Sequence, residues 1–92
     1  MYGIVPTKRF LKSFKTLSKS GTFKKNKFVS LIDILSAGKR LPPQFSDHNL
    51  NGNMKMCREC HIENDLLLVY KLEKVDKIII LIDIGSHSHI FG

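Results

Sequence analysis

The sequence predicts one α+β domain, and three observations carry the prediction. Apolar residues recur at helical spacing only before residue 40, and at strand spacing only after Met56. A chain of 92 residues has surface enough for one hydrophobic core and no second one, so residues 1–92 are read as a single domain. Helices gathered beside a sheet, rather than alternating with its strands, define the α+β class. The expected order is β-α-α-β-β-β: an N-terminal strand, then a two-helix hairpin packed on an antiparallel sheet of about four strands.

Tyr2 to Val5 is apolar and partly β-branched, and Pro6 follows, which suits a short strand. Thr7 is placed to cap a helix in which Phe10, Leu11, Phe14 and Leu17 form one apolar stripe, with Lys8, Lys12, Lys15 and Lys19 off it. Gly21 ends that helix. Phe28, Leu31, Ile32 and Leu35 repeat the spacing, and Ala37-Gly38 closes the second helix. Two helices this close in sequence are expected to run antiparallel.

Residues 39–53 hold Pro42-Pro43 and the turn formers Ser46, Asp47, Asn49, Asn51 and Gly52, without a sustained period. A loop of this length inside a small domain is usually functional or disordered. From Met56 the period becomes two, so Glu59 and His61 share one face of a strand and Arg58 lies on the other. Glu63-Asn64-Asp65 is a turn. Leu66 to Leu72 is nearly continuous in apolar residues, as a central strand buried on both faces requires. Lys77 to Ile84 is the last strand, Gly85 breaks it, and SHSHIFG is read as a tail folding back on the body.

Charge is unevenly placed. Residues 1–30 carry eight Lys or Arg and no acid, while residues 31–92 carry seven basic and eight acidic side chains, so the net charge of +7 belongs to the N-terminal third. Such a face suits a polyanion or an acidic protein, the alternative being lysines that merely solvate a helix pair. The opening MYGIVPTKRF lacks a seven-residue apolar core, and Ile78–Ile82 is far too short to span a bilayer. No membrane association and a cytoplasmic location are expected, with Cys57 and Cys60 as reduced thiols.

Cys57-Arg58-Glu59-Cys60-His61 matches the C-x-x-C-H haem attachment pattern literally. An alternating strand sends Cys57 and Cys60 to opposite faces, where they cannot share one haem or one metal, and no cofactor or metal is expected. The four histidines are more informative. Imidazole exchanges a proton near neutral pH. Two such groups across a phosphate, beside a cation, meet the needs of RNA cleavage through its own 2′-hydroxyl: a base, an acid and a counter-charge.

Asp47-His48-Asn49-Leu50-Asn51-Gly52, then Arg58 to Lys71 with His61, Asp65 and Tyr70 in place, then Gly85-Ser86-His87 followed by Phe91, resemble the YafQ branch of the RelE superfamily of bacterial toxins. The motif spacing matches throughout residues 47–92, and the strand-helix-helix order before it matches as well. The resemblance implies a RelE-like fold and a toxin that cuts mRNA in the ribosomal A site. It also implies a cognate antitoxin that silences the toxin, and contact with operator DNA only through the antitoxin complex. It carries functional roles onto His48, His61, Asp65, His87 and Phe91. His87 is implied as proton donor to the leaving 5′-oxygen, His48, His61 and Asp65 as sharing base and orienting roles, and Phe91 as a surface on which a base stacks. Arg58 is held as a phosphate contact, with an ion pair to Glu59 or Asp65 as its alternative. Lys8, Lys12, Lys15, Lys24 and Lys25 are expected to meet RNA. Three positions depart from the pattern: Leu66 stands where some relatives carry Trp, Asn49 where Pro is common, and His89 where an acidic or small residue is usual. The competing readings are a non-catalytic toxin of the ParE kind and a plain basic RNA-binding module.

Overall fold

The computed structural model describes residues 1–54 and 56–92, and of Asn53 the backbone alone. Strand β1 (Gly3–Pro6) leads into helix α1 (Lys8–Ser18) and helix α2 (Lys25–Ser36). A two-residue strand β2 (His48–Asn49) lies between short 3-10 turns at Pro43–Phe45 and Gly52–Met54. Strands β3 (Arg58–Glu63), β4 (Leu66–Glu73) and β5 (Ile78–Gly85) follow, and helix α3 (His87–Phe91) closes the chain.

Thr7 performs the expected cap: its hydroxyl accepts from the Phe10 amide at 3.1 Å and donates to the Leu81 carbonyl at 2.8 Å. One side chain therefore starts α1 and ties it to β5. The apolar stripe of α1 is narrower than the sequence indicated. Phe10 is buried and Phe14 and Leu17 are half-buried, but Leu11 is 53% exposed, because one helical step of about 100° carries it past the edge of the contact. Phe14 joins the two helices, with its ring 5.5 Å from Phe10 and 5.2 Å from Phe28.

The sheet has the order β1-β5-β4-β3-β2. It is mixed and five-stranded rather than antiparallel with about four strands. β1 runs parallel to β5, with Gly3 opposite Ile78 and Pro6 opposite Leu81, while the other pairs are antiparallel. A four-residue strand carries no mark of its partner, and a two-residue strand has no period to read. β4 is central, as its apolar run implied, and Leu67, Leu68, Val69 and Tyr70 are all buried.

Alternation along β3 and β4 splits the core into two layers. Cys60, Ile62, Leu68 and Tyr70 face Phe10, Leu31 and Leu35 of the helices. Leu67 and Val69 face the other way, where Ile90 of α3 covers them with Leu50, Met54 and Cys57 around it. Cys57 and Cys60 thus lie on opposite sides of the sheet, as the strand period required. One face is closed by α1 and α2, and the other, only partly covered by the short α3, is left to carry a site.

Candidate functional site

Cross-strand pairing decides which polar groups share the open face. His48 of β2 lies opposite Glu59 of β3, and His61 follows Glu59 by two residues, so all three point the same way. The imidazoles of His48 and His61 are 6.4 Å apart between centroids. Glu59 sits between them, 5% exposed, with Oε1 at 3.9 Å from His48 Nε2 and 3.4 Å from His61 Nε2. His48 Nδ1 lies 2.7 Å from the Ser46 carbonyl. A carbonyl only accepts, so Nδ1 carries the hydrogen, and in the neutral ring Nε2 is the free base.

A second cluster is built at the same end of the sheet. His61 is paired with Leu67, and Leu67 with Gly85, so His61 and the end of β5 lie two strand spacings apart, about 10 Å. Two residues beyond Gly85, His87 opens α3. Asp65, in the β3–β4 turn, accepts from the His87 amide at 3.0 Å, and the Ser86 hydroxyl caps the helix by accepting from His89 N at 3.1 Å. The exposed His87 ring lies 4.9 Å from that of Phe91, which is 41% exposed. His48 and His61 thus form one group, Asp65, His87 and Phe91 another, and Ile90 seats the second on the sheet face that carries the first.

Arg58 stands apart. It points to the helix-covered face, where Asp47 receives Nε at 3.2 Å and Nη2 at 2.8 Å, and Asn49 receives Nη1 at 2.7 Å. Its ion-pair partner is Asp47, not Glu59 or Asp65, because the loop before β2 folds back across β3. The Asp47 hydrogen bonds raise the Arg58 pKa further. The buried Tyr70 hydroxyl donates to the same carboxylate, and burial together with Asp47 pushes the Tyr70 pKa up. Lys8, Lys12, Lys15, Lys24 and Lys25 are exposed, and none enters an ion pair among the described residues. Lys25 lies 5.9 Å from the Phe14 ring centroid. Among the described residues no group of three or more His, Cys, Asp or Glu is arranged to hold a metal ion, and no helix is long and apolar enough to cross a membrane.

Sequence reasoning missed the burial of Glu59 between the imidazoles, which depends on the two-residue β2. It also missed Asp83, 1% exposed at the end of β5. A signal for Asp83 was present: an acid inside the otherwise apolar Ile78–Ile84. Burial pushes this carboxyl up, but hydrogen bonds from Ser13, the Ile84 amide and Arg9 outweigh it and hold the pKa below the usual carboxylate value.

A basic α+β domain with an imidazole-lined open sheet face is the class of protein that fold and site define together. The family described as bacterial toxin of type II toxin-antitoxin system, YafQ, matches residues 2–92, and the chain belongs to that family. It is 40% identical over 52 residues to the mRNA interferase toxin YafQ of Escherichia coli strain K12, a stretch covering 56% of this chain and 54% of that protein. The match thus spans about half the length of this curated relative. The fold resembles that of a metal-bound toxin from Helicobacter pylori, with a TM-score of 0.90, 37% identity, and coverage of 99% of this chain and 100% of that one. It also resembles a chain of the E. coli DinJ-YafQ complex, with a TM-score of 0.85, 31% identity and full coverage of both chains. The RelE-like architecture implied by the motifs is therefore the one the chain adopts.

Proposed function

We propose that this toxin is an endoribonuclease that cleaves mRNA on the ribosome through the 2′-hydroxyl of the substrate. The observation that carries the reading is the pair His48 and His61 astride Glu59 on the open sheet face, with α3, which bears His87 and Phe91, seated on that same face through Ile90. His48 Nε2 takes the 2′-hydroxyl proton, and the oxygen attacks the adjacent phosphorus. His87 gives a proton to the departing 5′-oxygen, leaving a 2′,3′-cyclic phosphate and a 5′-hydroxyl end. Glu59 stabilises the imidazolium formed as the base accepts its proton, and His61, beside it, offers a ring N–H to the phosphate. Asp65, whose carboxylate is engaged by the His87 amide, orients α3 rather than acting as base. Phe91 offers a ring face to an unstacked base, and the exposed lysines of α1 and α2 neutralise RNA phosphates. Arg58, committed to Asp47, takes no part in phosphate binding.

The name of the E. coli relative, an mRNA interferase, and the DinJ-YafQ complex support both the substrate and an antitoxin partner for this chain. An acidic segment of that antitoxin suits the basic N-terminal third. The test is cleavage of a translated reporter mRNA by wild type and His87→Ala, with 5′ ends mapped. Loss of a general acid lowers the rate about 100- to 10,000-fold. An equal rate for the variant overturns the assignment of His87.

A further inference from the structure

His89 points away from the imidazole cluster yet is held more closely than an incidental surface residue. Its Nε2 lies 3.0 Å from Ser13 Oγ of α1 and 3.5 Å from Oδ1 of the buried Asp83. The other carboxylate oxygen of Asp83 receives Arg9 Nε at 2.9 Å, and Arg9 Nη2 reaches the Ile90 carbonyl at 3.5 Å. Register explains how the acid comes there. Val69 pairs with Asp83 and Tyr70 with Leu81, so Ile82 is an extra residue in β5, and this bulge turns Asp83 to the face on which α3 lies.

Gly85 adds an independent observation. A β-carbon there would stand 2.5 Å from His89 Cδ2, so the imidazole lies directly on the backbone at the end of β5. The Ser13, His89 and Asp83 set is no hydrolytic triad. In a triad the hydroxyl and the carboxylate meet different ring nitrogens, so that the proton taken at one is balanced at the other. Here both meet Nε2. The set can hold a ring but cannot relay a proton.

α3 has only five residues, too few for a helix to persist without tertiary contacts. Its placement rests on Ile90 in the sheet, Asp65 at its start and the His89 cluster on its flank. We propose that His89 is a positioning residue that clamps α3 against α1 and β5, so that His87 and Phe91 are presented to the RNA in reacting register. The role rests on the ribonuclease reading above, but the clamp itself is a structural claim that can be read separately.

Two measurements on the full chain test it. NMR reads the nuclear Overhauser contacts between the His87 and Phe91 rings, and steady-state cleavage on programmed ribosomes gives kcat and KM. With His89→Ala, the ring contacts weaken and kcat falls about 10- to 100-fold, the scale of a misplaced catalytic group. KM rises by much less than kcat falls, since the lysines that grip RNA are untouched and only the Phe91 stacking contact is loosened. With His89→Gln, whose amide nitrogen can occupy the place of Nε2, most of kcat and the ring contacts return. Ser13→Ala, which leaves α3 unaltered in sequence, shows the same weakening in milder form and serves if His89→Ala does not fold. Wild-type ring contacts in His89→Ala and Ser13→Ala, or no recovery with Gln, overturn the clamp. Should the wild type fail to cut mRNA, the ribonuclease reading falls alone and the NMR contacts still decide the clamp.

Discussion

Asp47 is the residue whose removal from the structure has the most calculable effect. Its carboxylate accepts from the Tyr70 hydroxyl and from Arg58 Nε and Nη2, across 23 and 11 residues of sequence. Tyr70 is 1% exposed, so Asp47→Ala strands a buried hydroxyl, at about 1–3 kcal/mol. The Arg58 side chain is 31% exposed, so the broken ion pair adds only about 0.5–1 kcal/mol after solvent screening. The sum is about 3 kcal/mol, a large share of the roughly 5–14 kcal/mol a domain of this size possesses, and equals about 12–24 °C in Tm. Urea unfolding of Asp47→Ala, Tyr70→Phe and the double variant forms the assay. Phe at position 70 removes the hydroxyl that would be stranded, so the double variant is expected to be destabilised by less than the sum of the singles. Strict additivity, or a loss below about 1 kcal/mol in Asp47→Ala, refutes the account of this network.

Two other predictions concern titration. Asp83 has its pKa depressed in the fold, so its contribution is complete above the unfolded value of about 3.9 and disappears as pH falls through the folded value. Asp83→Asn should therefore be less stable than wild type at neutral pH, with a gap that narrows as pH drops from 4 to 2; a gap constant over that range contradicts the assignment. Burial pushes the Cys60 thiol up, with Asp47 and Glu59 adding to it. In the native protein a thiol reagent should label the half-buried Cys57 first and Cys60 only on the timescale of unfolding, as mass spectrometry of labelled peptides would tell. Two fast-reacting thiols would contradict the packing of Cys60 against the helices.

Periodicity determined a large part of this protein, because side-chain direction follows from local backbone geometry alone. The 3.6-residue stripe located α1 and α2, and Thr7 capped α1 as its position required. The two-residue period assigned Glu59 and His61 to one face of β3 and Cys60 to the other, and the apolar run from Leu66 marked the central strand. The linked motifs around His48, His61, Asp65, His87 and Phe91 carry the family resemblance in the sequence itself. Tertiary structure decided what local geometry does not encode. β2 is only two residues, yet its pairing sets His48 opposite Glu59 and makes a buried carboxylate the neighbour of two imidazoles. β1 lies parallel to β5, a pairing of strands separated in sequence by both helices and by β2, β3 and β4, which no local pattern encodes. The partner of Arg58 is Asp47, since a loop return and not strand alternation brings them together. α3 exists because Asp65, Ile90 and the Asp83 cluster hold it; five residues have too few internal hydrogen bonds to form a helix of their own, and the catalytic role proposed for His87 depends on those distant partners.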